Sequence, residues 1–202
     1  MWGGHLPARD FIVSTSKAQV ASKVLMLDYL ASLNNYKWFI APSLGRLVFH
    51  GSWWGYGPAC IDEMFLDQFE LIDCVDIDRS AIETSKKLLL NSKYDFHVAD
   101  SLLACPHDDD NPLPRLVVNT SLEHFAKNDA LFFLMNHQGT ENLKGIYVQA
   151  TNMDAEDHLW KPDEHEFKEF LNELTPSFTI DVPPPLDIGN GWQRHSAFLT
   201  PK

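Results

Sequence analysis

The residues of this 202-residue chain most able to do chemistry gather between positions 46 and 78. An apolar run, Leu47-Val48-Phe49, ends in the tight segment GSWWGYG. A helix-like stretch follows, and a second apolar run closes on Asp76 and Asp78. Strand, glycine-bearing turn, helix, strand and carboxylate, in that order, build a nucleoside pocket on the rim of an open α/β sheet. Glycines without a Cβ let the turn backbone pass close to a ligand. A carboxylate at the next strand end can accept hydrogen bonds from a ribose diol. Asp100 and Asn119 also lie just past predicted strand ends, so they converge on the same rim. His124 is a candidate general base, because an imidazole titrates near neutral pH. Asn119 and Thr120 are candidates for positioning substrate or cofactor.

The elements that must hold these residues can be read from periodicity. A helix is predicted over 15–34, capped by Ser14 or Thr15, with Val20, Val24, Leu27 and Leu30 at helical spacing. Residues 36–40 are aromatic and apolar, and 42–45 form a turn. Further helices are predicted over 58–67, with Pro58 in the first turn, and over 80–90, opened by a Ser80–Glu83 capping-box spacing. Two more follow over 128–137 and 163–174, the last capped by Asp163. Strands are predicted over 46–50, 71–76, 94–99, 116–119, 144–151, 178–182 and 195–200. The segment CPHDDDNPLP, 105–114, is a polar loop. Alternation of strand and helix implies a parallel sheet covered on both faces. Only PPPLDIGNGW separates the last two strands, so they should form an antiparallel hairpin at or near a sheet edge. No repeat or long linker divides the chain, which reads as one domain: an N-terminal helical extension, 1–45, packed on a core of 46–202.

Composition narrows the function classes. The formal net charge is −12, and the 16 lysines and arginines are scattered. A protein that grips nucleic acid by its phosphates usually carries a basic patch, so nucleic acid is disfavoured as a partner. No apolar run approaches the roughly 20 residues of a membrane-spanning helix. The N-terminus lacks a secretory pattern. Cys60, Cys74 and Cys105 are widely spaced and odd in number, against a disulfide framework. Cytoplasmic residence is the simplest expectation.

With these residues in view, the chain resembles the class I S-adenosylmethionine-dependent methyltransferases over roughly residues 46–200. That family has a Rossmann-like three-layer α/β/α sandwich, with a seven-stranded, mostly parallel sheet whose last strand is antiparallel. Its first motif is an acidic residue followed by GxGxG. Gly55 and Gly57 fit the second and third glycines, Trp53 stands where the first is expected, and the acidic position falls at Gly51. A tryptophan there could narrow the pocket or stack on ligand. The resemblance implies that Asp76, flanked by Asp78, binds the ribose hydroxyls, and that Asp100, with Ser101 beside it, contacts the adenine amino group. LVVNTSLEHF resembles the fourth-strand motif, and its Glu123-His124 pair is similar to an ending frequent in small-molecule methyltransferases.

The implied cofactor is S-adenosylmethionine, whose cationic sulfonium suits an acidic rim. A pyrophosphate cofactor favours a helix N-terminus with few carboxylates, and GxGxxG is missing. A small-molecule methyl acceptor is expected. The N-terminal helix, the loop after strand four, HLWKPDEHEF and PPPLDIGNGW are the segments left to recognise it, with Glu123 and Trp160 as substrate contacts. The histidines His158 and His165, near Asp157, Asp163 and Glu164, lack a compact ligand motif such as HExxH, so no metal is expected. Two alternatives stay open. One is a non-catalytic binding module on the same fold. The other is a nucleic-acid or protein methyltransferase, although NTSLEHF does not match the (D/N)PP(Y/F) motif of amino-methylating DNA enzymes.

Overall fold

The computed structural model describes residues 17–34, 45–65, 68–103, 115–138 and 142–202. The expected cap at Ser14 or Thr15, the 36–40 run with most of its turn, Cys105 and the 105–114 loop lie outside these residues. In chain order the elements are α1 (Lys17–Asn34), β1 (Gly45–His50), α2 (Tyr56–Met64), β2 (Phe69–Asp76), α3 (Arg79–Leu88) and β3 (Tyr94–Val98). After them come β4 (Arg115–Asn119), a 3-10 helix (Leu122–His124), α4 (Lys127–Gln138), β5 (Leu143–Thr151), α5 (Glu164–Asn172), β6 (Phe178–Asp181), β7 (Leu186–Gly189) and β8 (Trp192–Pro201). Among the described residues no helix is long and apolar enough to cross a membrane.

The strands form one sheet in the order β3-β2-β1-β4-β5-β8-β6, with β7 also paired to β8. Strands β1 to β5 pair in parallel. Strand β8 is antiparallel to β5, β6 and β7. The sheet therefore has eight strands rather than seven. The extra one, β7, lies in the segment expected to be a plain connection. Asn190 and Gly191 between β7 and β8 both have left-handed φ, +57° and +78°. That is the backbone of a two-residue type I′ hairpin turn, for which Asn-Gly is well suited. The expected antiparallel pair is β6 with β8 at the sheet edge: β6 is outermost, and β8 is inserted between it and β5.

Alternate side chains on the central strands feed two apolar layers. Leu47, Phe49, Leu116, Val118, Tyr147 and Phe198 face one side, where they meet Met26 and Leu30 of α1, Ile61 of α2 and Ile82 of α3. Val48, Val117, Ile146, Val148 and Leu199 face the other, under Phe133 and Leu134 of α4 and Phe167 and Phe170 of α5. The result is a three-layer α/β/α sandwich. Helix α1 docks differently from the expected stripe. Its buried positions are Ser22, Met26 and Leu30, whereas Val20 and Val24 stay about half exposed. The serine takes a core-facing place because its hydroxyl donates to Gln149 Oε1 of β5 at 2.8 Å. Gln149 Nε2 donates in turn to the Ser22 carbonyl and to Tyr147 Oη.

Two helix starts are set by aspartates. Helix α3 begins at Arg79, and its cap is Asp78, whose Oδ1 accepts from Ser80 N at 2.7 Å. The Ser80–Glu83 capping box is not formed, and Glu83 pairs with Lys86 instead. Asp163 caps α5 in a full capping box with Glu166.

Candidate functional site

The ends of β1, β2 and β4 stand level, because His50 pairs with both Val75 and Asn119. The chain leaves β1 for β2 on one side and returns to β4 on the other, so a topological switch point lies between β1 and β4. Open α/β sheets bind ligands beyond the carboxyl ends of their strands at such a point. Here the space is a cleft of about 900 Å³. Its walls include Gly51, Trp53, Gly57, Asp76, Asp78, Asp100 and Ser101 from the loops after β1, β2 and β3, and Asn119, Thr120, Glu123 and His124 from the end of β4 and the loop after it.

The turn after β1 is built on three left-handed residues at alternate positions: Gly51 (φ +66°), Trp53 (φ +47°) and Gly55 (φ +80°). The glycine pattern therefore has a different register from the expected one. Trp53 fills the middle position rather than the first, and the position two before the turn's first glycine is Phe49, not Gly51. At the φ of Trp53 an L-residue with a Cβ is strained by about 1–2 kcal/mol. The conformation is held from both sides. Trp53 N donates to Asp76 Oδ2 at 2.8 Å, and Trp53 O accepts from Ser85 Oγ at 2.8 Å. The indole leans on Trp54, with ring centroids 5.5 Å apart.

Gly55 does not line the cleft. It caps α2, and a Cβ there would lie 2.6 Å from Leu89 Cδ1. Its smallness serves packing against the end of α3. Gly57 lines the cleft and also packs on β1, since its Cβ would meet Phe49 Cζ at 2.4 Å.

Asp76 is held at both oxygens, Oδ2 by Trp53 N and Oδ1 by Asp78 N at 2.9 Å. Burial raises its pKa; the two backbone N–H groups work against this without cancelling it, while the Asp78 charge adds to it. Each oxygen keeps a further lone pair for a ligand donor. Asp100 Oδ1 accepts from Leu102 N, and Asn119 Oδ1 accepts from Ser121 N. Both loops are thereby fixed as short side-chain-closed turns. Among the described residues, six carboxylates line the cleft against two fixed cations, Lys23 and Arg194. Burial and then the nearby Arg194 charge hold the Lys23 amine below its ordinary value.

Arg194, on β8, is a site residue that sequence reasoning missed. Its Nη1 donates to Glu123 Oε1 at 2.7 Å, and both side chains are buried. Seventy-one positions separate the two, so no local pattern announces the pair. His158 also reaches the cleft, with its ring centroid 5.0 Å from that of His124. His165, considered beside it, is exposed and pairs with Glu169 one helical turn away. Trp160 is not on the cleft: it is buried among Phe167 and Phe170. Its neighbours His158 and Leu159 line the wall in its place. The segment after β6 is likewise elsewhere. Pro183, Pro184 and Pro185 border a smaller hollow of about 300 Å³ with Glu164 and His195.

No family model matches the sequence, and no curated protein matches it by sequence. Solved structures do match. The CurJ carbon methyltransferase superposes with a TM-score of 0.70 over 96% of this chain at 11% identity. The plantazolicin methyltransferase BpumL, in complex with S-adenosylhomocysteine, gives 0.66 over 97% at 14%. The small RNA methyltransferase HEN1 gives 0.68 over 88% at 14%. The chain spans 25% of the HEN1 chain, 58% of CurJ and 91% of BpumL. The strand order, the inserted antiparallel strand and these superpositions agree: this chain has the fold of the class I S-adenosylmethionine-dependent methyltransferases.

Proposed function

We propose that the protein is an S-adenosylmethionine-dependent methyltransferase acting on a small-molecule acceptor. The observation that carries this reading is Asp76, anchored at the end of β2 by the backbone of the Trp53 turn, with lone pairs left facing the cleft. The donor set fits the cofactor. In this reading Asp76 accepts from the ribose hydroxyls and Asp100 from the adenine amino group, with Ser101 and Thr120 lining the same cleft. An excess of carboxylates favours a cationic ligand over a pyrophosphate. When bound, the cofactor supplies an electrophilic methyl group on a sulfonium. The chain's own part is positioning, which can account for much of the rate of a displacement at carbon. Asn119 and His124 line the cleft as the acceptor-side residues of this reading, and α1 contributes Gln19, Lys23 and Met26 to the same cleft. Among the described residues, the two fixed cations there are too few to hold a nucleic-acid backbone by its phosphates, in keeping with a small acceptor.

Isothermal titration with S-adenosylmethionine and S-adenosylhomocysteine tests the reading directly. The wild-type chain should bind both, and Asp76→Ala should lose at least about tenfold in affinity, the equivalent of about 1.4 kcal/mol, while remaining folded by circular dichroism. Absence of binding to both ligands would overturn the proposal. A radiolabelled methyl-transfer screen over metabolites, RNA, DNA and protein then identifies the acceptor.

A further inference from the structure

We propose that Glu123, His124 and His158 form a binding site for one divalent first-row transition-metal ion on the wall of the cleft. One ligating atom from each falls within 4.8 Å of the others. Two chain segments bring them together, the 3-10 helix after β4 and the loop after β5. The Leu159 and Trp160 amides, both donating to the Glu123 carbonyl at 2.8 and 3.1 Å, clamp these segments to each other.

The hydrogen bonds around the three side chains are those of a ligand set. His158 Nδ1 lies 2.9 Å from the Met153 carbonyl, and His124 Nδ1 lies 3.2 Å from the Asp157 carbonyl. A carbonyl can only accept, so in each of these contacts Nδ1 is the donor, which in a neutral ring leaves Nε2 as the ligating nitrogen. This backbone-fixed tautomer is the usual outer-shell arrangement of a metal-ligating histidine. Glu123 is equally prepared. Its Oε1 takes the Arg194 guanidinium, while Oε2 is buried with no hydrogen-bond partner. A buried carboxylate oxygen without a donor is unfavourable, and a cation is a partner that satisfies it.

Among the described residues a second carboxylate–histidine cluster, Asp73 with Asp95 and His97, differs in this respect. Both Asp73 oxygens are already engaged by Arg46 and His97.

Metal–ligand bonds of about 2.0–2.2 Å require donor atoms no more than about 4.2 Å apart. Rotation of the His124 ring, whose side chain is 42% exposed, can close that gap. Two imidazoles and one carboxylate suit Zn²⁺ or Mn²⁺ better than the all-oxygen shells of Ca²⁺ and Mg²⁺. Three protein ligands leave coordination positions open, as in catalytic rather than structural sites. Only the role of the site rests on the methyltransferase reading: there, the open positions would face the acceptor.

The test uses the full chain, stripped with a chelator and titrated calorimetrically with Zn²⁺ and Mn²⁺. Co²⁺ absorption reports the geometry of the site. The expected result is one equivalent bound, with affinity reduced on the order of 100-fold in His158→Gln and in His124→Ala. Glu123→Gln should do the same. If that variant fails to fold, the exposed His124 still decides the matter. No binding of either ion by the wild-type chain, or unchanged affinity in both histidine variants, would overturn the proposal. S-adenosylhomocysteine titration is run on the metal-free chain. Metal binding without cofactor binding sinks the methyltransferase reading alone, and the reverse sinks the metal site alone.

Discussion

Replacing Trp53 by glycine and, separately, by alanine isolates the strain stored in the turn after β1. Both variants remove the same indole and its packing on Trp54, so that effect cancels in the comparison. Both keep the backbone N–H that donates to Asp76 and the carbonyl that accepts from Ser85. What differs is the fit of the residue to φ +47°. Alanine carries a left-handed penalty of about 1–2 kcal/mol that glycine escapes. Glycine gives back about 0.4–1 kcal/mol through the greater freedom of its unfolded chain. The balance leaves Trp53→Gly more stable than Trp53→Ala by about 0.5–1 kcal/mol. For a chain of this size that is roughly 2 °C in Tm. Indole–indole packing in the wild type is worth about 0.5–1.5 kcal/mol, which offsets the strain relieved by glycine, so Trp53→Gly should stay close to wild-type stability. Urea denaturation monitored by circular dichroism measures the difference, with equal m-values as the check that only stability has changed. An alanine variant as stable as the glycine variant would refute the reasoning, because the turn would then impose no left-handed demand at this position.

Two other outcomes follow from buried charge. Arg194→Met removes the counter-charge of a buried carboxylate, and the metal-free protein should lose about 3–5 kcal/mol. Adding Glu123→Gln to it should restore much of that loss, and a single variant no less stable than the double one on thermal denaturation would contradict this account. The second outcome concerns pH. Burial pushes Asp73 upward, but hydrogen bonds from His97 and Arg46 outweigh it and hold the carboxyl below its ordinary 3.8. His97 is raised above 6.5, chiefly by its hydrogen bond to Asp73 and against the opposing effect of burial. The His97 contribution is therefore complete below pH 6.5 and fades as pH rises through its higher folded value. That of Asp73 is present above 3.8 and fades as pH falls through its lower one. The stability advantage of the wild type over His97→Gln should shrink on the alkaline side of 6.5, and a constant difference from about pH 5 to about pH 9 would count against the coupling.

The parts of the molecule legible in the sequence are those where one physical signal dominates. Strands β1, β4 and β5 are nearly uninterrupted apolar runs because both faces of the sheet are covered. Asp76, Asp100 and Asn119 could be set on the rim because each closes or follows a predicted strand. Asp163 declares the start of α5 through local chemistry. Backbone handedness is written less plainly. Nothing in GSWWGYG states that positions 51, 53 and 55, rather than 53, 55 and 57, turn left-handed. Strand β7 is masked by the three prolines that precede it, although Asn190-Gly191 carries a hairpin signal. The α1 stripe is shifted because Ser22, polar by type, finds its partner 127 positions away on Gln149. Glu123 with Arg194 and His124 with His158 are likewise products of topology, and no short window of sequence contains either pair.

The insertion of β8 between β5 and β6 has a consequence for the order of folding. Strands β5 and β6 are both in place in the chain before β8 arrives, yet neither touches the other in the sheet. Until β8 slots in, each offers an unpaired edge, the kind of surface that invites pairing with other chains. The same strand delivers Arg194 to Glu123. Filling the gap between β5 and β6 and pairing the buried Glu123 with Arg194 thus depend on the same strand. Loss or slippage of β8 would therefore open two sheet edges and strip the Glu123 carboxylate of its counter-charge at once.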